Sequence, residues 1–412
     1  MPNLPDKQNC CACAACVDIC PKGALFMKED KNGFYSISID SSKCIDCGLC
    51  EKRCHILNGD KLSWSNAQSV SPKAGWSTKS DLISRSASGA IFAQVAYNFL
   101  EEGNTFVYGA SLLSDNTVRH IEISKVSEIP LLQNSKYQQS YTVGVYKQVR
   151  NRLKQGYRVL FSGVPCQIAA LYAFLDYNRG KWQNLYTIEV ICHGVPTNEL
   201  HRTALQKTHS KRIVSYRTKV NGSWLKGNIV TYEKKDGTIC TMESHLKDFL
   251  FRSYLTFSVC RNSCYSCHYA KTSRISDLTI GDFWGYEKSA NANMYKNESG
   301  ISAIFPNTEK GQMMINGKDL HIVDCSWAEI IPMNQNMYMP TNSYDYILSD
   351  YIYVLKYLPL SIKGLIYQKG FSAKYPNRIL NKLMSILFYG KRKEQQNIKQ
   401  ILLKESLKEL DK

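Results

Sequence analysis

Residues 10–55 read CCACAACVDICPKGALFMKEDKNGFYSISIDSSKCIDCGLCEKRCH and contain one cysteine spacing twice. The two motifs are Cys10-x2-Cys13-x2-Cys16-x3-Cys20-Pro21 and Cys44-x2-Cys47-x2-Cys50-x3-Cys54-His55. A Cys-x2-Cys-x2-Cys-x3-Cys-Pro run is typical of chains that hold 4Fe-4S clusters. The repeat therefore predicts two 4Fe-4S clusters near the N-terminus.

The spacing also predicts how the thiolates divide between the clusters. Three cysteines at x2-x2 spacing lie on one loop and bind one cube, whereas the fourth, after x3, binds the other cube. We therefore expect one cluster on Cys10, Cys13, Cys16 and Cys54, and another on Cys44, Cys47, Cys50 and Cys20. Cys11 is a ninth cysteine that has no place in the pattern, and His55 replaces the second proline.

Two alternative interpretations of these cysteines are weaker. A zinc ribbon uses separated Cys-x2-Cys pairs with four ligands per site, which leaves the third cysteine of each triplet unused. A disulfide framework is typical of small secreted domains, and the opening stretch MPNLPDKQNC has no apolar signal region. Because a reducing compartment suits thiolate ligands, we expect a cytoplasmic protein.

Length and charge limit the remaining possibilities. The chain has 412 residues, enough for two or three domains, and contains no apolar run as long as a membrane span. Its formal net charge of +17 permits nucleic acid, anionic lipid or an anionic cofactor as a partner. The basic residues are dispersed and no zinc-finger or RNP signature occurs, so we expect no nucleic-acid partner.

The predicted domain organisation has four segments. They are a two-cluster 4Fe-4S ferredoxin domain (1–60), a polar linker (61–72), a core (73–335), for which the family resemblance described below implies flavin and iron–sulfur binding, and a basic, mainly helical segment (336–412). The ferredoxin domain is expected to be α+β. The core is expected to be α/β with a mixed sheet, because helices alternate with strands along it.

Hydrophobic patterning predicts the secondary-structure elements of the ferredoxin domain and of the core. Strands are predicted at 24–27, 35–39, 105–110, 158–162, 185–191 and 277–280, helices at 90–100, 145–154 and 167–175, and further strands with an Asp236-Gly237 turn in 211–246. Gly163 begins a Gly/Pro turn between a strand and a helix, where backbone N–H groups face a ligand. Gly281 lies in a glycine-flanked turn after a strand, which permits close backbone approach to a ligand.

Five cysteines outside the N-terminal motifs lie at predicted turns, namely Cys166, Cys192, Cys260, Cys264 and Cys267. Cys240 and Cys325 have strand-like surroundings and are interpreted as structural. A free cysteine is commonly just a small buried side chain, yet two cysteines at strand ends plus a Cys-x2-Cys pair also suit a third 4Fe-4S cluster. Spacing alone leaves both interpretations open.

The order of several motifs adds a resemblance to a known family. They are Ser86-Ala87-Ser88-Gly89, Ser135-Lys136-Tyr137, Gly163-Val164-Pro165-Cys166-Gln167, Cys192-His193-Gly194-Val195-Pro196, Cys264-Tyr265-Ser266-Cys267 and Ser276-Asp277-Leu278-Thr279-Ile280-Gly281-Asp282-Phe283-Trp284. Over residues 1–290 the chain resembles the coenzyme F-420 hydrogenase/dehydrogenase beta-subunit family, in its bacterial form with a fused ferredoxin domain. Beyond about residue 335 no resemblance is found.

This resemblance implies an iron–sulfur flavoprotein whose core binds FAD and one 4Fe-4S cluster. It assigns the third cluster to Cys166, Cys192, Cys264 and Cys267, and the flavin site to Ser88, Gly89, Ser135, Lys136, Gly163 and Gly281. Ala90 departs from the family pattern, which often has a second glycine there. Archaeal relatives exchange hydride with coenzyme F-420, whereas bacterial members are often associated with surface-polysaccharide synthesis.

The leading functional prediction is an oxidoreductase that passes electrons between a flavin and the clusters. His193 is a candidate proton donor, although a turn histidine is more often a structural hydrogen-bonding residue. A non-enzymatic subunit that delivers electrons to a partner enzyme is the main alternative, and a redox-sensing or assembly protein without flavin is a third. The expected partner is a redox protein or a small-molecule donor or acceptor.

The C-terminal segment is rich in Lys and Arg. One predicted helical face carries Ile379, Leu380, Leu383, Ile386 and Leu387. Such a helix suits peripheral contact with anionic lipid, but a helix that packs on the core and exposes its charged face is the favoured interpretation.

Overall fold

A computed structural model describes residues 1–341, except 218, 220–221, 225–228, 243–246, 256, 258, 290 and 296, and residues 389–410. For residues 252 and 389–396 it describes the backbone alone. The strands are β1 (Leu25–Glu29), β2 (Tyr35–Ile39), β3 (Lys73–Ser77), β4 (Thr105–Leu112), β5 (Val118–Ile123), β6 (Arg158–Gly163), β7 (Leu185–Val190), β8 (Ser210–Ser215), β9 (Thr231–Lys234), β10 (Ile239–Thr241), β11 (Leu278–Asp282), β12 (Ser302–Pro306) and β13 (Leu320–Asp324). The α-helices are α1 (Ala15–Ile19), α2 (Leu49–Lys52), α3 (Ser80–Arg85), α4 (Ile91–Glu101), α5 (Ile129–Leu132), α6 (Val145–Lys154), α7 (Pro165–Phe174), α8 (Asn198–Lys207), α9 (Phe249–Leu255), α10 (Asn262–Tyr265), α11 (Glu309–Ile315), α12 (Trp327–Ile330) and α13 (Tyr389–Leu410).

The N-terminal unit is a hairpin with two short helices beside it. β1 and β2 pair antiparallel, with Leu25 opposite Ile39 and Glu29 opposite Tyr35. Gly33 has a φ of +80° at the hairpin tip, which is the conformation that the Asn-Gly pair favours. The helices α1 and α2 each begin inside one of the cysteine motifs. The predicted α+β class is therefore confirmed.

The core is built on one mixed sheet of eight strands in the order β13-β3-β12-β11-β7-β6-β4-β5. The four strands β11, β7, β6 and β4 run parallel to one another, and antiparallel strands flank them on both sides. This is the predicted mixed-sheet α/β fold. The carboxyl ends of the four parallel strands share one edge, which is where open α/β sheets bind ligands.

Helices cover both faces of the sheet because the parallel strands bury side chains on both sides. Val107, Leu160 and Ile188 pack into an apolar cluster with α4. Tyr108 and Phe161 point to the opposite face, into a cluster with α6 and α7. The helices and strands predicted for this region match the observed ones to within three residues at each end.

A second sheet, in the order β10-β9-β8, packs against α8 and α9. The predicted turn joins β9 to β10, with Gly237 at a φ of +86°. Tyr232 and Phe251 are buried in the cluster between this sheet and its helices. The strands predicted for residues 211–246 are therefore present in the described part of that range.

The N-terminal unit docks directly on the core. The Asp18 carboxylate accepts hydrogen bonds from the backbone N–H groups of Gly144 (2.6 Å) and Tyr146 (3.1 Å), at the start of α6. Thr142 Oγ1 donates to the Cys13 carbonyl at 2.9 Å. The stretch predicted as a linker also packs, since Leu62 is buried in the cluster of α6 and α7. The exact domain boundaries stay a prediction.

The C-terminal helix α13 lies against the core. Leu402 and Leu403 pack on Ile331, Tyr338 and Met339. The apolar face predicted at 379–387 lies outside the described residues, as does the remainder of 342–388. The observed packing agrees with the favoured interpretation of this segment for α13.

Gly89 follows α3 and packs against the backbone of β3 and β12. A Cβ at this position would lie 2.4 Å from the Gly75 carbonyl oxygen and 2.9 Å from the Ser302 backbone nitrogen. We therefore expect Gly89→Ala to lower the free energy of unfolding by roughly 1–3 kcal/mol through overpacking. Chemical denaturation measures the free energy of unfolding of this variant and of the control Gly180→Ala. Gly180 is exposed and has room for a Cβ. Equal stability of the two variants would contradict the packing argument.

Candidate iron–sulfur centres and the adjoining cationic pocket

The eight cysteines of the N-terminal motifs lie around two cavities. A cavity of about 390 Å³ is lined by Cys10, Cys13, Cys16 and Cys54, and also by Cys11. A smaller cavity is lined by Cys20, Cys44, Cys47 and Cys50. Each cavity thus receives three cysteines of one motif and the last cysteine of the other, which is the grouping that the spacing predicts.

Both cysteine loops have the same backbone conformation. Left-handed φ values occur at Ala12 (+50°) and Ala14 (+67°) in the first loop, and at Asp46 (+52°) and Gly48 (+68°) at the equivalent positions of the second. This conformation costs a non-glycine residue roughly 1–2 kcal/mol. Alternating left-handed residues turn successive backbone N–H groups toward one concavity, which binds anionic centres. The Ala12 N–H already points to Cys10 Sγ, at 3.4 Å.

Two short helices explain the crossed grouping. Cys16 lies in α1 and Cys20 follows its last residue, so α1 separates the two thiols along its axis. In the same way, Cys50 lies in the first turn of α2, and Cys54 follows the residue that caps its C-terminus. Because a helix rises about 1.5 Å per residue, the fourth cysteine is carried roughly 6 Å from the third, toward the other cavity.

Burial disfavours the charged form of these thiols in the absence of a cation. It raises the pKa of Cys10 to about 11, with the charges of Cys11 and Cys54 acting in the same direction. Burial also raises the pKa of Cys16, helped by Cys10 and Cys54. A metal centre supplies the positive charge that makes grouped thiolates favourable.

The core cysteines converge at the carboxyl edge of the large sheet. Cys166 lies in the first turn of α7 directly after β6, and Cys192 follows β7. Since β6 and β7 are parallel neighbours, with Gly163 opposite Glu189, both cysteines leave the sheet at the same edge. The hydrogen bond with Cys11 and burial raise the pKa of Cys166, and the charges of Cys192 and Cys267 add to this. Burial raises the pKa of Cys192 to about 11, and the charge of Cys267 acts in the same direction.

Cys264 and Cys260 complete this group of thiols. The charges of Cys192, Cys260 and Cys267 all act on Cys264, although burial is the main reason for its raised pKa. Burial raises the pKa of Cys260 to about 12. Cys260 is buried and forms an isolated β-bridge with Pro196.

A buried ion pair lies beside these thiols. Arg217 is 3% exposed and its Nη1 donates to Asp282 Oδ2 at 2.6 Å, at the end of β11. Nε and Nη2 of Arg217 are buried and lack a well-aligned hydrogen bond to the described residues, although the Tyr137 hydroxyl interacts with this guanidinium. An unsatisfied buried guanidinium is costly, so these two N–H groups suit an anionic or carbonyl-bearing ligand.

Two lysines add positive charge near this pair. Lys219 Nζ lies 3.4 Å from the Ser88 carbonyl oxygen. Burial, followed by the charge of Arg217, lowers the pKa of Lys219 to about 8. Lys136 is partly buried, and its Nζ donates to the carbonyls of Leu132 (2.9 Å) and Gln133 (2.6 Å). Burial lowers the pKa of Lys136 to about 7.

The serine and lysine positions predicted for the flavin site already have protein partners. Ser88 Oγ donates to the Ile301 carbonyl at 2.7 Å, and the Ser135 backbone N–H donates to Asn134 Oδ1 at 2.8 Å. Lys136 is engaged with backbone carbonyls. Ser88 lies near Lys219, so this part of the predicted set does lie close to the cationic pocket.

The predicted glycines are explained by packing within the protein. A Cβ at Gly281 would lie 2.6 Å from Ile191 Cδ1, and one at Gly163 would lie 3.0 Å from Gln167 Oε1. Gly89 likewise faces backbone atoms. The protein's own atoms therefore limit the space at all three positions whether or not a ligand binds there, most strictly at Gly89, where the neighbours are backbone atoms. Their assignment to a flavin site stays a prediction.

His193 follows the core thiol Cys192 and lies within electrostatic range of Arg217 and Asp282. It is partly buried, and its ring stacks on Phe257 with the ring planes inclined by 16°. Burial lowers the pKa of His193, while the charge of Asp282 raises it. Sequence patterns missed Arg217 and Lys219 because no motif surrounds them, although Asp282 belongs to a recognised motif.

The comparisons with known proteins place this chain among iron–sulfur proteins. Residues 9–56 match the 4Fe-4S dicluster domain. Residues 156–323 match the C-terminal region of the beta-subunit family of coenzyme F420 hydrogenase/dehydrogenase. The family resemblance inferred from the motifs is thereby confirmed for these two regions.

Two relatives and one solved structure are similar to this chain. An uncharacterized ferredoxin of Methanocaldococcus jannaschii is 41% identical over 51 residues, which cover 12% of this chain and 65% of the relative. An uncharacterized protein of the same organism is 20% identical over 332 residues, covering 72% of this chain and 85% of the relative. A chain of the F420-reducing [NiFe] hydrogenase complex from Methanosarcina barkeri has a TM-score of 0.44 and 14% identity, covering 67% of this chain and 88% of that one.

The helices also bear on membrane insertion. In the described ranges, each helix is either too short or too polar to cross a membrane.

Proposed function

We propose that the protein is an iron–sulfur flavoprotein oxidoreductase that passes electrons between a bound flavin and three 4Fe-4S clusters. The observation that carries the proposal is the continuity of the sites. The Cys11 thiol hydrogen-bonds with both Cys13 and Cys166, and His193, which follows Cys192, lies within electrostatic range of Arg217 and Asp282. Redox cofactors must lie close together to exchange electrons, and this order of residues supports three neighbouring cluster sites and a flavin site.

Three cysteine sets hold the clusters in this proposal. They are Cys10, Cys13, Cys16 and Cys54; Cys44, Cys47, Cys50 and Cys20; and Cys166, Cys192, Cys264 and Cys267. Burial, the inward N–H groups and the left-handed loop residues tune the reduction potentials of such centres. Cys47 is exposed, so the second set lies where an external redox protein can approach it.

The residues of the cationic pocket fit FAD. When bound, FAD would accept or release two electrons and pass them on singly. The Nε and Nη2 groups of Arg217 suit a phosphate or a flavin carbonyl oxygen, and Lys219 adds a second cation near them. Asp282 holds the guanidinium in position. His193 lies next to this pair and is retained as the candidate proton donor.

Arg217→Met is expected to lower the affinity for FAD by roughly tenfold to hundredfold, because charged hydrogen bonds contribute about 1.5–3 kcal/mol. The measurement is FAD per chain and FAD affinity after anaerobic reconstitution, together with bound iron. Arg212→Met, which removes a half-exposed ion pair with Glu233 on β8, is the matched control. Unchanged FAD affinity in Arg217→Met, with iron intact, would remove Arg217 from the flavin site.

An electron-transfer subunit that serves a partner enzyme is the second candidate. The exposed Cys47 favours it, because electrons could leave there to a docked protein. The hydrogenase/dehydrogenase beta-subunit resemblance also points to a redox partner within a complex. Turnover of a small-molecule donor or acceptor by the isolated chain separates the enzyme from the subunit.

The finer predictions about the biological setting rest on the family resemblance. They concern coenzyme F-420 as substrate, a role in surface-polysaccharide synthesis, a cytoplasmic location and peripheral membrane contact through the basic C-terminus. Anaerobic assays with reduced coenzyme F-420 and with reduced nicotinamide would test the first of them directly.

A further inference from the structure

Cys11 and His55, the two residues that depart from the paired cysteine motifs, contact each other. Cys11 Sγ lies 3.4 Å from His55 Nε2, and Cys13 Sγ lies within 4.8 Å of both atoms. His55 is 1% exposed, and its Nδ1 hydrogen-bonds with the Tyr269 hydroxyl. Tyr269 follows Cys267 by two residues. One line of contacts therefore joins the N-terminal unit to the core through buried side chains.

A second line of contacts runs through sulfur atoms. The thiol of Cys11 hydrogen-bonds with those of Cys13 and Cys166, which lowers its pKa. Cys13 and Cys166 pack against the same apolar cluster, which also contains Tyr269. Cys13 belongs to the first predicted cluster set and Cys166 to the third. The Cys11 side chain thus spans the gap between two ligand sets without belonging to either.

The surrounding residues fix this contact in place. Gln139 Nε2 donates to the Cys11 carbonyl at 3.0 Å and to the Ala12 carbonyl at 3.3 Å, and Gln139 Oε1 accepts from Arg261 at 2.8 Å. Trp64 stacks on Tyr269 at 5.9 Å between ring centroids. A spare buried cysteine needs only to fill space, whereas this cysteine is held by hydrogen bonds on both sides.

We propose that Cys11, His55 and Tyr269 form the bridge over which electrons cross between the cluster of Cys10, Cys13, Cys16 and Cys54 and the core cluster. The proposal rests on the proposed function, since it requires both clusters. Each crossing moves one electron, so that one iron–sulfur centre is oxidised and the other is reduced by one electron. No proton moves and no bond in the bridge forms or breaks. Electrons are expected to follow these closely packed side chains, because a gap in the packing would interrupt the contacts between their atoms.

The test compares Cys11→Ser and Tyr269→Phe with the wild-type chain, all purified anaerobically. Cys240→Ser, which removes a thiol from β10 in the second sheet, is the control. Each protein is mixed with a reduced two-cluster ferredoxin, and rapid freeze-quench electron paramagnetic resonance follows the reduction of the N-terminal and core clusters separately. Iron and FAD per chain are measured on the same samples.

We expect the N-terminal clusters to be reduced at the wild-type rate in every variant. Reduction of the core cluster should be about tenfold slower in Cys11→Ser, because loss of a residue that contacts metal ligands commonly changes the properties of a metal site by about tenfold. In Tyr269→Phe it should be several-fold slower. Cys240→Ser should match the wild type. Core reduction at the wild-type rate in both bridge variants, with full iron, would overturn the proposal.

Two further outcomes are separable from that one. If Cys11→Ser loses iron, Tyr269→Phe decides the question, since it leaves every thiol in place and removes only the hydroxyl contact to His55. If the wild-type chain itself carries no core cluster, the proposed function fails and the bridge is overturned with it. That result is visible in the iron content before any mixing experiment.

Discussion

Cys54→Ser is expected to remove the cluster of the first cysteine loop, although Cys54 belongs to the second motif. Cys54 lies at the far end of α2 from Cys50 and lines the cavity of Cys10 and Cys16. The charges of Cys10 and Cys54 both act on Cys16. Loss of one thiolate from a four-thiolate site should remove about four of the iron atoms, one complete cube.

Matched single variants decide which cluster is lost. Cys54→Ser should give the same Mössbauer and electron paramagnetic resonance spectra as Cys13→Ser. Cys20→Ser should match Cys47→Ser instead. If the spectra of Cys54→Ser resemble those of Cys47→Ser, each motif holds its own cluster and the crossed grouping is wrong.

Cys264→Ser is expected to lose the core cluster, whereas Cys260→Ser keeps it. Cys264 lies in α10, and Cys267 follows it with two residues between them, so both thiols reach one cube from a single turn. The charges of Cys192, Cys260 and Cys267 act on Cys264. Cys260 also interacts electrostatically with Cys192 and Cys264, so it is assigned as the spare thiol because Cys264-x2-Cys267 and the two cysteines after β6 and β7 already supply four thiolates.

Bound iron measures this difference. Cys264→Ser should contain about four fewer iron atoms per chain than Cys260→Ser, with the ferredoxin unit intact in both. Gly194, at a φ of +100°, passes closely over Cys260, since a Cβ there would lie 3.1 Å from its Sγ. Cys260→Ser keeps a small side chain under this backbone. Equal iron loss in the two variants would put Cys260 in the ligand set and leave Cys166 or Cys192 as the spare thiol.

The sequence predicted the cluster region well because its information is local. Each cysteine loop spans seven residues, and the x2-x2-x3 spacing determines which thiols one loop can present. The core cysteines were also brought together as expected, because Cys166 and Cys192 follow parallel strands that end at one edge. In both cases short-range patterns determine where the functional side chains lie.

The cationic pocket was not predictable in this way. Arg217 lies between β8 and β9 in a stretch without a motif, and its partner Asp282 is 65 residues further along the chain. A glycine in the sequence is an equally ambiguous sign of a ligand site. Glycine is needed where a ligand approaches the backbone closely, and also where the protein's own backbone does, because both exclude a Cβ. At Gly89 and Gly281 the neighbouring atoms belong to the protein.

The contact made by Cys11 illustrates the same limit. The motif identifies Cys11 as surplus, but its neighbours Cys166 and Tyr269 are more than 150 residues away in the sequence and are brought close only by docking of the two units. His55 likewise gains a role through Tyr269 rather than through its own motif. Departures from a motif are therefore informative only when the fold shows what they touch.

The central claim is that one chain holds three 4Fe-4S clusters and a flavin. Anaerobic purification of the full chain, followed by iron, sulfide and flavin determination on a single sample, tests it most directly. The account predicts about twelve iron atoms per chain, four for each cluster, and about one acid-releasable FAD. About eight iron atoms and no flavin, even after reconstitution with iron, sulfide and FAD, would contradict it and would favour a redox-sensing or assembly protein.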